Sequence, residues 1–257
     1  RMQYTAWSST FHMGTSTLLC SDRIATGSFD KTAKVWDTDT GKCLHTFTGH
    51  KAEVVTISFD PHKSLLATGS MDQTCKLWDL ESGKEHSTLK GHEGEIVSLN
   101  FNADGDKILT GSFDQNAIIW DTRTGQPIHI LQGHTGEISS TQFEFGGDIC
   151  ATGSIDRTCK LWDVGSGKCM YTLVGHTNEI LDINFNSIGT KIATASVDST
   201  VRIYNVANGQ CSVVLKDHEG EVSKVIFNPQ GTKVFTGGSD HIGRLWDVES
   251  GKLLQKL

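Results

Sequence analysis

One short phrase recurs along this chain at a fixed interval, and that interval constrains the fold more than any other feature. TGSFDKTAKVWD begins at Thr26, and variants of it begin at Thr68, Thr110, Thr152, Thr194 and Thr236, each 42 residues after the one before. A series of histidines keeps the same step: His50, His92, His134, His176 and His218. A fixed period in the low forties indicates one supersecondary unit used repeatedly.

The unit that follows His50 has the pattern of four short strands. EVVTISF alternates and predicts a first strand, while SLLATGS, TCKLWDL and EHSTL predict the other three. Met71-Asp72-Gln73 and ESGK supply tight turns. Strands of about five or six residues joined by such turns account for the length of the unit. We therefore predict an all-β fold with six recognisable four-stranded antiparallel blades, which is how a β-propeller is built.

The spacing within each unit resembles that of the WD-repeat family. Asp72 follows His50 by 22 residues, and Trp78-Asp79 begins six residues further on. The resemblance covers Ile24 to Leu257 and implies a WD-repeat β-propeller at residues 22–257. Residues 1–21 do not fit the unit and are expected to be an irregular segment, either a diverged strand or no part of the repeat. The pattern is equally consistent with six blades and with part of a seven- or eight-bladed ring.

Each unit offers threonine, histidine, aspartate and tryptophan, and these residues admit two interpretations. A nucleophilic site needs one open constellation of this kind, whereas here the set recurs from unit to unit. In the WD-repeat family the same positions resemble a tetrad of side-chain hydrogen bonds that ties a blade together, so we expect a structural role and no catalysis. The positions are Thr26, Asp30 and Trp36; His50, Thr68, Asp72 and Trp78; His92, Thr110, Asp114 and Trp120; His134, Thr152, Asp156 and Trp162; His176, Thr194, Asp198 and Tyr204; and His218, Thr236, Asp240 and Trp246.

Four units depart from the pattern, and in the third the departure is Asn116 in place of the usual threonine. The fifth has Tyr204-Asn205 in place of Trp-Asp, and the tyrosine hydroxyl keeps a donor for an altered network. The sixth has Gly238 and Ile242 where most units have serine and threonine, which predicts a looser network. The first has no histidine, because the position 42 residues before His50 is Ser8.

Composition argues against several other functions. A formal net charge of −7 is unlike a protein that binds nucleic-acid phosphates, which carries a basic patch or stripe. No stretch approaches the roughly 20 consecutive apolar residues of a membrane helix. None of the seven cysteines forms the CxxC pair typical of a zinc site. We expect a cytoplasmic protein with reduced thiols and with no metal, other cofactor or small-molecule substrate.

Apolar residues in turns indicate where a partner would bind, because turns are normally polar. The position before the tight-turn aspartate is apolar in five of six units, and it resembles one on the top, partner-binding face of WD propellers. An acid follows each histidine by three residues, and the residue two further on shares its side of the strand. The predicted partner-binding residues are Phe29, Met71, Phe113, Ile155 and Val197; Glu53, Glu95, Glu137, Glu179 and Glu221; and Val55, Val97 and Leu181. The alternatives are apolar side chains packed on neighbouring blades and glutamates that cap local amides.

Some longer stretches are similar to particular WD-repeat families. HEGEVSKVIFNPQGTK (218–233) and TGSMDQTCKLWD (68–79) resemble the axonemal outer-arm dynein assembly factors. That resemblance implies a non-catalytic adaptor that links outer-arm dynein to intraflagellar transport, in the cytoplasm and at the cilium or flagellum and its base. Its partners would be dynein arm subunits or intraflagellar transport components. IIWDTR (118–123) resembles the WDxR box of substrate receptors of cullin ubiquitin ligases, which is the alternative together with a generic WD-repeat scaffold.

Overall fold

The computed structural model describes residues 15–20, 22–62 and 64–257, and every regular element in those ranges is a β-strand. The first three sheets contain β1 (Thr15–Cys20), β2 (Arg23–Ser28), β3 (Ala33–Asp37) and β4 (Cys43–Phe47); β5 (Val54–Phe59), β6 (Leu65–Ser70), β7 (Thr74–Asp79) and β8 (Glu85–Lys90); and β9 (Ile96–Phe101), β10 (Lys107–Ser112), β11 (Ala117–Asp121) and β12 (Pro127–Leu131). The next three contain β13 (Ile138–Phe143), β14 (Ile149–Ser154), β15 (Cys159–Asp163) and β16 (Cys169–Leu173); β17 (Ile180–Phe185), β18 (Lys191–Ser196), β19 (Thr200–Asn205) and β20 (Cys211–Lys216); and β21 (Val222–Phe227), β22 (Lys233–Gly238), β23 (Arg244–Asp247) and β24 (Leu253–Lys256).

Each sheet joins four strands that are consecutive in the chain, and each neighbouring pair with a described register is antiparallel. We call each sheet a blade and number the blades in chain order. The predicted fold class, six four-stranded antiparallel blades, is confirmed. In the second blade Thr68 lies opposite Ile57 on one side and Lys76 on the other, so the TGS phrase forms part of the second strand. The fourth strand of each blade is a sheet edge, and four of the five residues of β4 are not buried.

Burial follows strand position within a blade. β6 is buried at five of its six positions, so both faces of the second strand are covered by neighbouring blades. Position 69 of this strand has no room for a side chain, because a Cβ on Gly69 would lie 2.6 Å from Thr56 Cγ2 and 2.8 Å from Ile96 Cγ2. The glycine of the repeated TGS phrase therefore lets the next blade pack closely. The resulting core cluster of the first two blades includes Val35, Leu66 and Trp78.

The chain divides into two compact units. The first runs to Asp114 and takes in Ile118–Ile128, and the second consists of Gln115–Ala117 and His129–Leu257. Core clusters lie between successive blades inside each unit, such as that around Leu77, Ile96 and Trp120 in the first. Leu161, Ile183 and Tyr204 belong to a corresponding cluster in the second.

The first blade begins before the boundary expected at residue 22. β1 (Thr15–Cys20) pairs with β2, so of the alternatives left open for residues 1–21, the diverged strand applies to 15–20, and these six residues are not irregular. Thr26 lies opposite Thr17, whereas its counterpart Thr68 lies opposite Ile57, because the connection between β1 and β2 is shorter than the one between β5 and β6. The strand positions of β1 are therefore not separated from those of β5 by the 42-residue step. Residues 1–14, including Ser8, lie outside the described residues.

Two further properties of the described residues bear on function. Six cysteines carry free thiols, and burial raises the pKa of Cys75, Cys150 and Cys159 well above the usual range. No helix among the described residues is long and apolar enough to cross a membrane.

Candidate functional site

In the second blade the four tetrad side chains meet around one buried hydroxyl. Thr68 Oγ1 lies 2.7 Å from His50 Nε2 and accepts a hydrogen bond of 2.9 Å from Trp78 Nε1. Because the Asp72 carboxylate can only accept, the neutral imidazole of His50 carries its proton on Nδ1, and Nε2 accepts the hydroxyl proton of Thr68. His50 Nδ1–H then donates to Asp72 Oδ2 at 2.9 Å. This chain of donors orders the imidazole as a neutral tautomer.

The aspartate at the end of that chain is fully occupied. Asp72 Oδ2 also accepts the amide of Lys51 at 2.8 Å, and Oδ1 accepts the amide and hydroxyl of Thr74 at 3.0 and 2.6 Å. Burial raises the pKa of Asp72, but these hydrogen bonds and the one from His50 lower it by a larger amount. The pKa of Asp72 therefore lies below its usual value. Burial lowers the pKa of His50. A buried, satisfied network of this kind stabilises a turn and leaves no reactive group open.

A fifth side chain extends the network, and the sequence interpretation missed it. Ser70 is fully buried, its hydroxyl donates to the Ala52 carbonyl at 3.2 Å, and it accepts the Asp72 amide at 3.1 Å. The same serine recurs as Ser112, Ser154 and Ser196, each hydroxyl accepting the amide of the tetrad aspartate. The S of each TGS phrase was the available signal.

The tetrad is complete in the second, third, fourth and sixth blades. Histidine Nε2 to threonine distances are 2.8, 2.7 and 2.8 Å for His92–Thr110, His134–Thr152 and His218–Thr236. Histidine Nδ1 lies 2.7, 2.7 and 2.9 Å from Asp114, Asp156 and Asp240. The indoles of Trp120, Trp162 and Trp246 donate to the same threonines at 2.8, 2.9 and 2.9 Å. Repetition of this geometry supports the structural role.

The first and fifth blades have partial networks. Trp36 donates to Thr26 at 3.0 Å, and Asp30 accepts the Thr32 amide and hydroxyl on the surface. In the fifth blade His176 bonds Thr194 at 2.8 Å and Asp198 at 2.8 Å. The Tyr204 hydroxyl, however, donates to the Val174 carbonyl at 3.1 Å. The tyrosine therefore keeps a hydrogen bond outside the tetrad.

The sixth network contains a cation that the sequence interpretation missed. Arg244 is 1 % exposed and donates from Nη1 to Asp240 Oδ2 at 2.7 Å, where Ile242 has no hydroxyl to offer. Its Nε donates to Asp217 Oδ2 at 2.6 Å. Asp217 stands where other units have the glycine of Gly-His, and that exchange was the sequence signal. A buried cation thus joins the tetrad aspartate to Asp217.

The predicted acids and turn apolar residues are joined by a backbone hydrogen bond. The Met71 amide donates to the Glu53 carbonyl at 3.0 Å, and the Phe113 amide to the Glu95 carbonyl at 3.0 Å. The same bond in the second unit joins Ile155 to Glu137, Val197 to Glu179 and Ser239 to Glu221, each at 3.0 Å. We call the first four of these the acid–apolar pairs. The sequence suggested two separate series, and the structure places one member of each side by side.

Exposure differs among the predicted surface residues. Phe29 and Phe113 are 47 % and 37 % exposed, whereas Met71, Ile155 and Val197 are half-buried. Glu221 is exposed and the other four glutamates are half-buried. None of the five carboxylates forms an ion pair or caps an amide within the described ranges.

One predicted binding residue is misassigned. Val97 is only 6 % exposed, so it is a packing residue and is removed from the surface set. Its counterparts Val55 and Leu181 are half-buried. Alternation along a strand predicts which side a residue faces, but it cannot tell how closely the neighbouring strand covers that side.

No group of three or more histidine, cysteine, aspartate or glutamate side chains in the described part of the chain has the geometry to hold a metal ion. Arg123, the last residue of IIWDTR, is exposed in the hairpin after β11. Thr122 beside it is buried and its hydroxyl donates to the Gly105 carbonyl at 2.9 Å. The hairpin is therefore anchored with Arg123 outside.

Repeated four-stranded blades with a Thr-His-Asp-Trp network define a WD-repeat β-propeller, a class that generally acts as a non-catalytic protein-interaction scaffold. The chain belongs to the family of the WDR3 first beta-propeller domain, whose model matches residues 23–205. The model of the WD domain, G-beta repeat, matches residues 7–37 and 209–247. The WD-repeat resemblance seen in the sequence is confirmed.

Curated relatives match over short segments. The transcriptional corepressor LEUNIG_HOMOLOG of Arabidopsis thaliana is 51 % identical over 47 residues, 18 % of this chain and 6 % of the relative. The nuclear distribution protein PAC1 of Mycosarcoma maydis is 52 % identical over 44 residues, 17 % of this chain and 10 % of the relative. Dynein assembly factor with WD repeat domains 1 of Mus musculus is 57 % identical over 35 residues, 14 % of this chain and 8 % of the relative. The matched segments thus span a tenth or less of these relatives.

Proposed function

We propose that this chain is a scaffold that binds protein segments in which a lysine or arginine lies beside an apolar side chain. The observation that carries the proposal is the repeated acid–apolar pair. Each pair offers a carboxylate that has no ion pair among the described residues, next to an apolar turn residue that is at least partly exposed. Apolar contacts would supply affinity, and the carboxylates would set association rate and specificity.

The first compact unit offers the strongest apolar anchors. Phe29 and Phe113 are the most exposed of the turn residues, and aromatic side chains are enriched where proteins bind each other. Met71 occupies the equivalent turn of the blade between them and has an adaptable side chain. The backbone bonds of Met71 and Phe113 hold these turns in place before a partner arrives, which reduces the ordering cost of binding.

We further propose that the partner is a dynein arm subunit or an intraflagellar transport component, so that the protein acts in the cytoplasm and at the cilium or flagellum. The proposal is supported by the stretches that resemble axonemal dynein assembly factors and by the segment similar to the mouse dynein assembly factor. This second proposal concerns the identity of the partner, whereas the first concerns the binding surface, so the two can be tested separately.

The test is quantitative affinity purification from ciliated-cell extract with the parent chain and a variant combining Phe29→Ser, Met71→Ser and Phe113→Ser. We expect the variant to remain folded and to lose most of the recovered partners. The matched control combines Leu44→Ser and Ile128→Ser, two exposed apolar residues on edge strands of the same compact unit, and it should retain them. Unchanged recovery of partners by the triple variant would rule out the proposed binding surface. Recovery of partners unrelated to dynein or transport would remove the ciliary role alone.

A second candidate function is that of a substrate receptor for a cullin ubiquitin ligase. It is favoured by the exposed Arg123 in an anchored hairpin that ends the WDxR-like stretch. Arg123→Ala should abolish co-purification of the ligase adaptor, and Lys84→Ala in the hairpin of the second blade should not. If the parent chain recovers no adaptor, this candidate is excluded.

A further inference from the structure

The fifth blade contains a cation that the blade itself leaves without an acceptor. Arg202 lies on β19 and is half-buried, and its Nε atom is fully buried with no hydrogen-bond partner. A buried guanidinium nitrogen without an acceptor costs free energy, so such groups are normally paired. The tetrad carboxylate of the same blade, Asp198, already accepts bonds from His176, Thr177 and Thr200.

The equivalent cations of three other blades have oxygen acceptors, whereas Lys34 of the first blade lies over the Trp36 ring and the third blade has Ile118 at this position. In the second blade Lys76 Nζ donates to Glu85 at 2.7 Å and to Thr88 at 2.8 Å. In the fourth blade Lys160 Nζ donates to Thr172 at 2.9 Å. In the sixth blade Arg244 Nε donates to Asp217 at 2.6 Å. In these three blades the cation is therefore held against an oxygen acceptor.

None of these three kinds of acceptor is present in the fifth blade. Val214 lies opposite Arg202, where Thr88 lies opposite Lys76. Cys211 lies opposite Tyr204, where Glu85 lies opposite Trp78. Gly175 replaces the aspartate that precedes the histidine in the sixth blade. The fifth blade therefore has a cation at this position and none of these three acceptors.

The Nε atom itself is enclosed, whereas Val174 and Gly175 beside the rest of the guanidinium are exposed. A Cβ on Gly175 would lie 2.6 Å from Arg202 Nη1, so the guanidinium packs over a glycine that leaves room for it. Val174 beside it is 63 % exposed, and its carbonyl is held by the Tyr204 hydroxyl. A ligand that reaches Arg202 therefore meets an exposed apolar side chain as well.

We propose that Arg202 binds, through its Nη groups, the carboxylate of an acidic side chain on a partner protein, with Val174 contacting an apolar neighbour of that side chain. The sixth blade supplies the template, because a carboxylate already occupies the corresponding place beside Arg244. Charge-assisted bonds between guanidinium and carboxylate are the strong class of hydrogen bond and can be bidentate. This site differs in charge and in residues from the acid–apolar pairs, so it recognises a different part of a partner.

The test follows the arginine Nε–H signals by ¹⁵N–¹H NMR during titration of the full chain with the peptide acetyl-Val-Glu-Val-amide. A single such pair binds weakly, so the titration extends into the millimolar range. We expect the Arg202 signal to move downfield and its proton exchange to slow. The Arg244 signal should not move, because Arg244 Nε–H already donates to Asp217. Acetyl-Val-Gln-Val-amide should have no effect. An Arg202 signal that ignores the glutamate peptide, follows the glutamine peptide equally, or responds only to inorganic phosphate overturns the proposal.

Two matched variants exclude a general surface effect. Cys211→Glu places a carboxylate where the second blade has Glu85, and it should eliminate the response of Arg202 to the peptide in a chain whose tryptophan fluorescence is unchanged. Cys169→Glu makes the same change opposite Trp162 in the fourth blade, where Lys160 already has Thr172, and it should leave the response intact. Equal responses in the two variants would contradict the proposal.

Discussion

At the scale of the residue, the tetrad threonine is where the hydrogen bonds of a blade converge. In the second blade Thr68 accepts from the indole and donates to the imidazole, and it is fully buried. In the fifth blade Thr194 bonds the imidazole but no aromatic side chain, because the Tyr204 hydroxyl bonds the Val174 carbonyl. The two threonines therefore differ in how many buried groups depend on them.

Thr68→Val keeps the shape of the side chain and removes the hydroxyl. We expect it to lower the free energy of unfolding by roughly 2–4 kcal/mol, because His50 and Trp78 each lose a buried partner at about 1–3 kcal/mol per group. Thr194→Val leaves only His176 without its partner and should cost about half as much. Urea denaturation of both variants measures the difference. Equal losses would show that the indole bond contributes nothing.

At the scale of the element, the tight turn between the second and third strands has a strained residue in every blade. Lys31, Gln73, Gln115, Arg157, Ser199 and His241 all have a positive φ, between 61° and 73°. Only glycine adopts this left-handed region without cost. The side chains share no chemistry, so the turn geometry comes from the hydrogen bonds of the preceding aspartate and serine.

Gln73→Gly relieves this strain where the side chain is exposed. We expect the free energy of unfolding to rise by about 1 kcal/mol or less, since the greater freedom of glycine in the unfolded chain offsets part of the gain. Gln73→Ala keeps the strain and should be close to neutral. A thermal or urea denaturation series resolves the two. A destabilised glycine variant would mean that the glutamine side chain contributes more than its exposure suggests.

In the second compact unit, side chains of the first strand of one blade hydrogen-bond the backbone of the first strand of the next blade. The free edges of these strands are covered by side chains of the preceding first strand: Gln142 accepts the Phe185 amide at 2.7 Å, Asn184 the Phe227 amide at 2.9 Å, and Asp182 the Val225 amide at 3.1 Å. An unpaired strand edge is a site for unwanted pairing, so these bonds protect it as well as join successive blades.

Asn184→Leu removes the acceptor of the Phe227 amide. We expect a loss of roughly 1–2 kcal/mol, the cost of one unsatisfied buried donor. Native-state hydrogen exchange should show the Phe227 amide losing protection, while the Val225 amide keeps it through Asp182. Ser187→Ala, which removes an exposed bond to the Pro229 carbonyl, serves as the control and should have little effect. Unchanged exchange at Phe227 would contradict this role.

At the scale of the whole molecule, the repeated tetrads make stability depend on pH. Burial lowers the pKa of four tetrad histidines, His50, His134, His176 and His218. Hydrogen bonds outweigh burial and lower the pKa of four tetrad aspartates, Asp72, Asp156, Asp198 and Asp240. In the unfolded chain histidine takes up a proton near pH 6.5 and aspartate near 3.9. The unfolded state therefore binds more protons in acid, and stability falls.

We expect the melting temperature to be level above about pH 7, to fall between about pH 6.5 and 5 as the unfolded histidines become charged, and to fall again below about pH 4. Asp182 acts in the opposite direction, because burial raises its pKa, but it is one group against eight. Calorimetry across this range is the measurement. A melting temperature that does not change between pH 7 and 5 would show that the histidines titrate freely in the folded protein.

Much of the fold and part of the candidate site could be read from the chain. The 42-residue step predicted strands, turns and tetrad members such as Thr68 and Asp72, because each depends on neighbours within one unit. It also predicted Phe29 and Phe113 as exposed turn residues. Failures came where contacts cross between blades or where a repeat is irregular: Val97 is covered by its neighbours, and β1 follows a shorter connection.

By itself, then, the sequence determined the repeated unit, its order of strands and turns, and the residue types of its hydrogen-bond network. These are local properties, set by periodicity over a few tens of residues. Only the tertiary structure decided that the acids and apolar turn residues are neighbours, that Arg244 completes the sixth network, and that Arg202 lacks an acceptor. Each of these depends on which strand lies opposite another and on how closely the next blade packs, and distances of that kind are not encoded in the period.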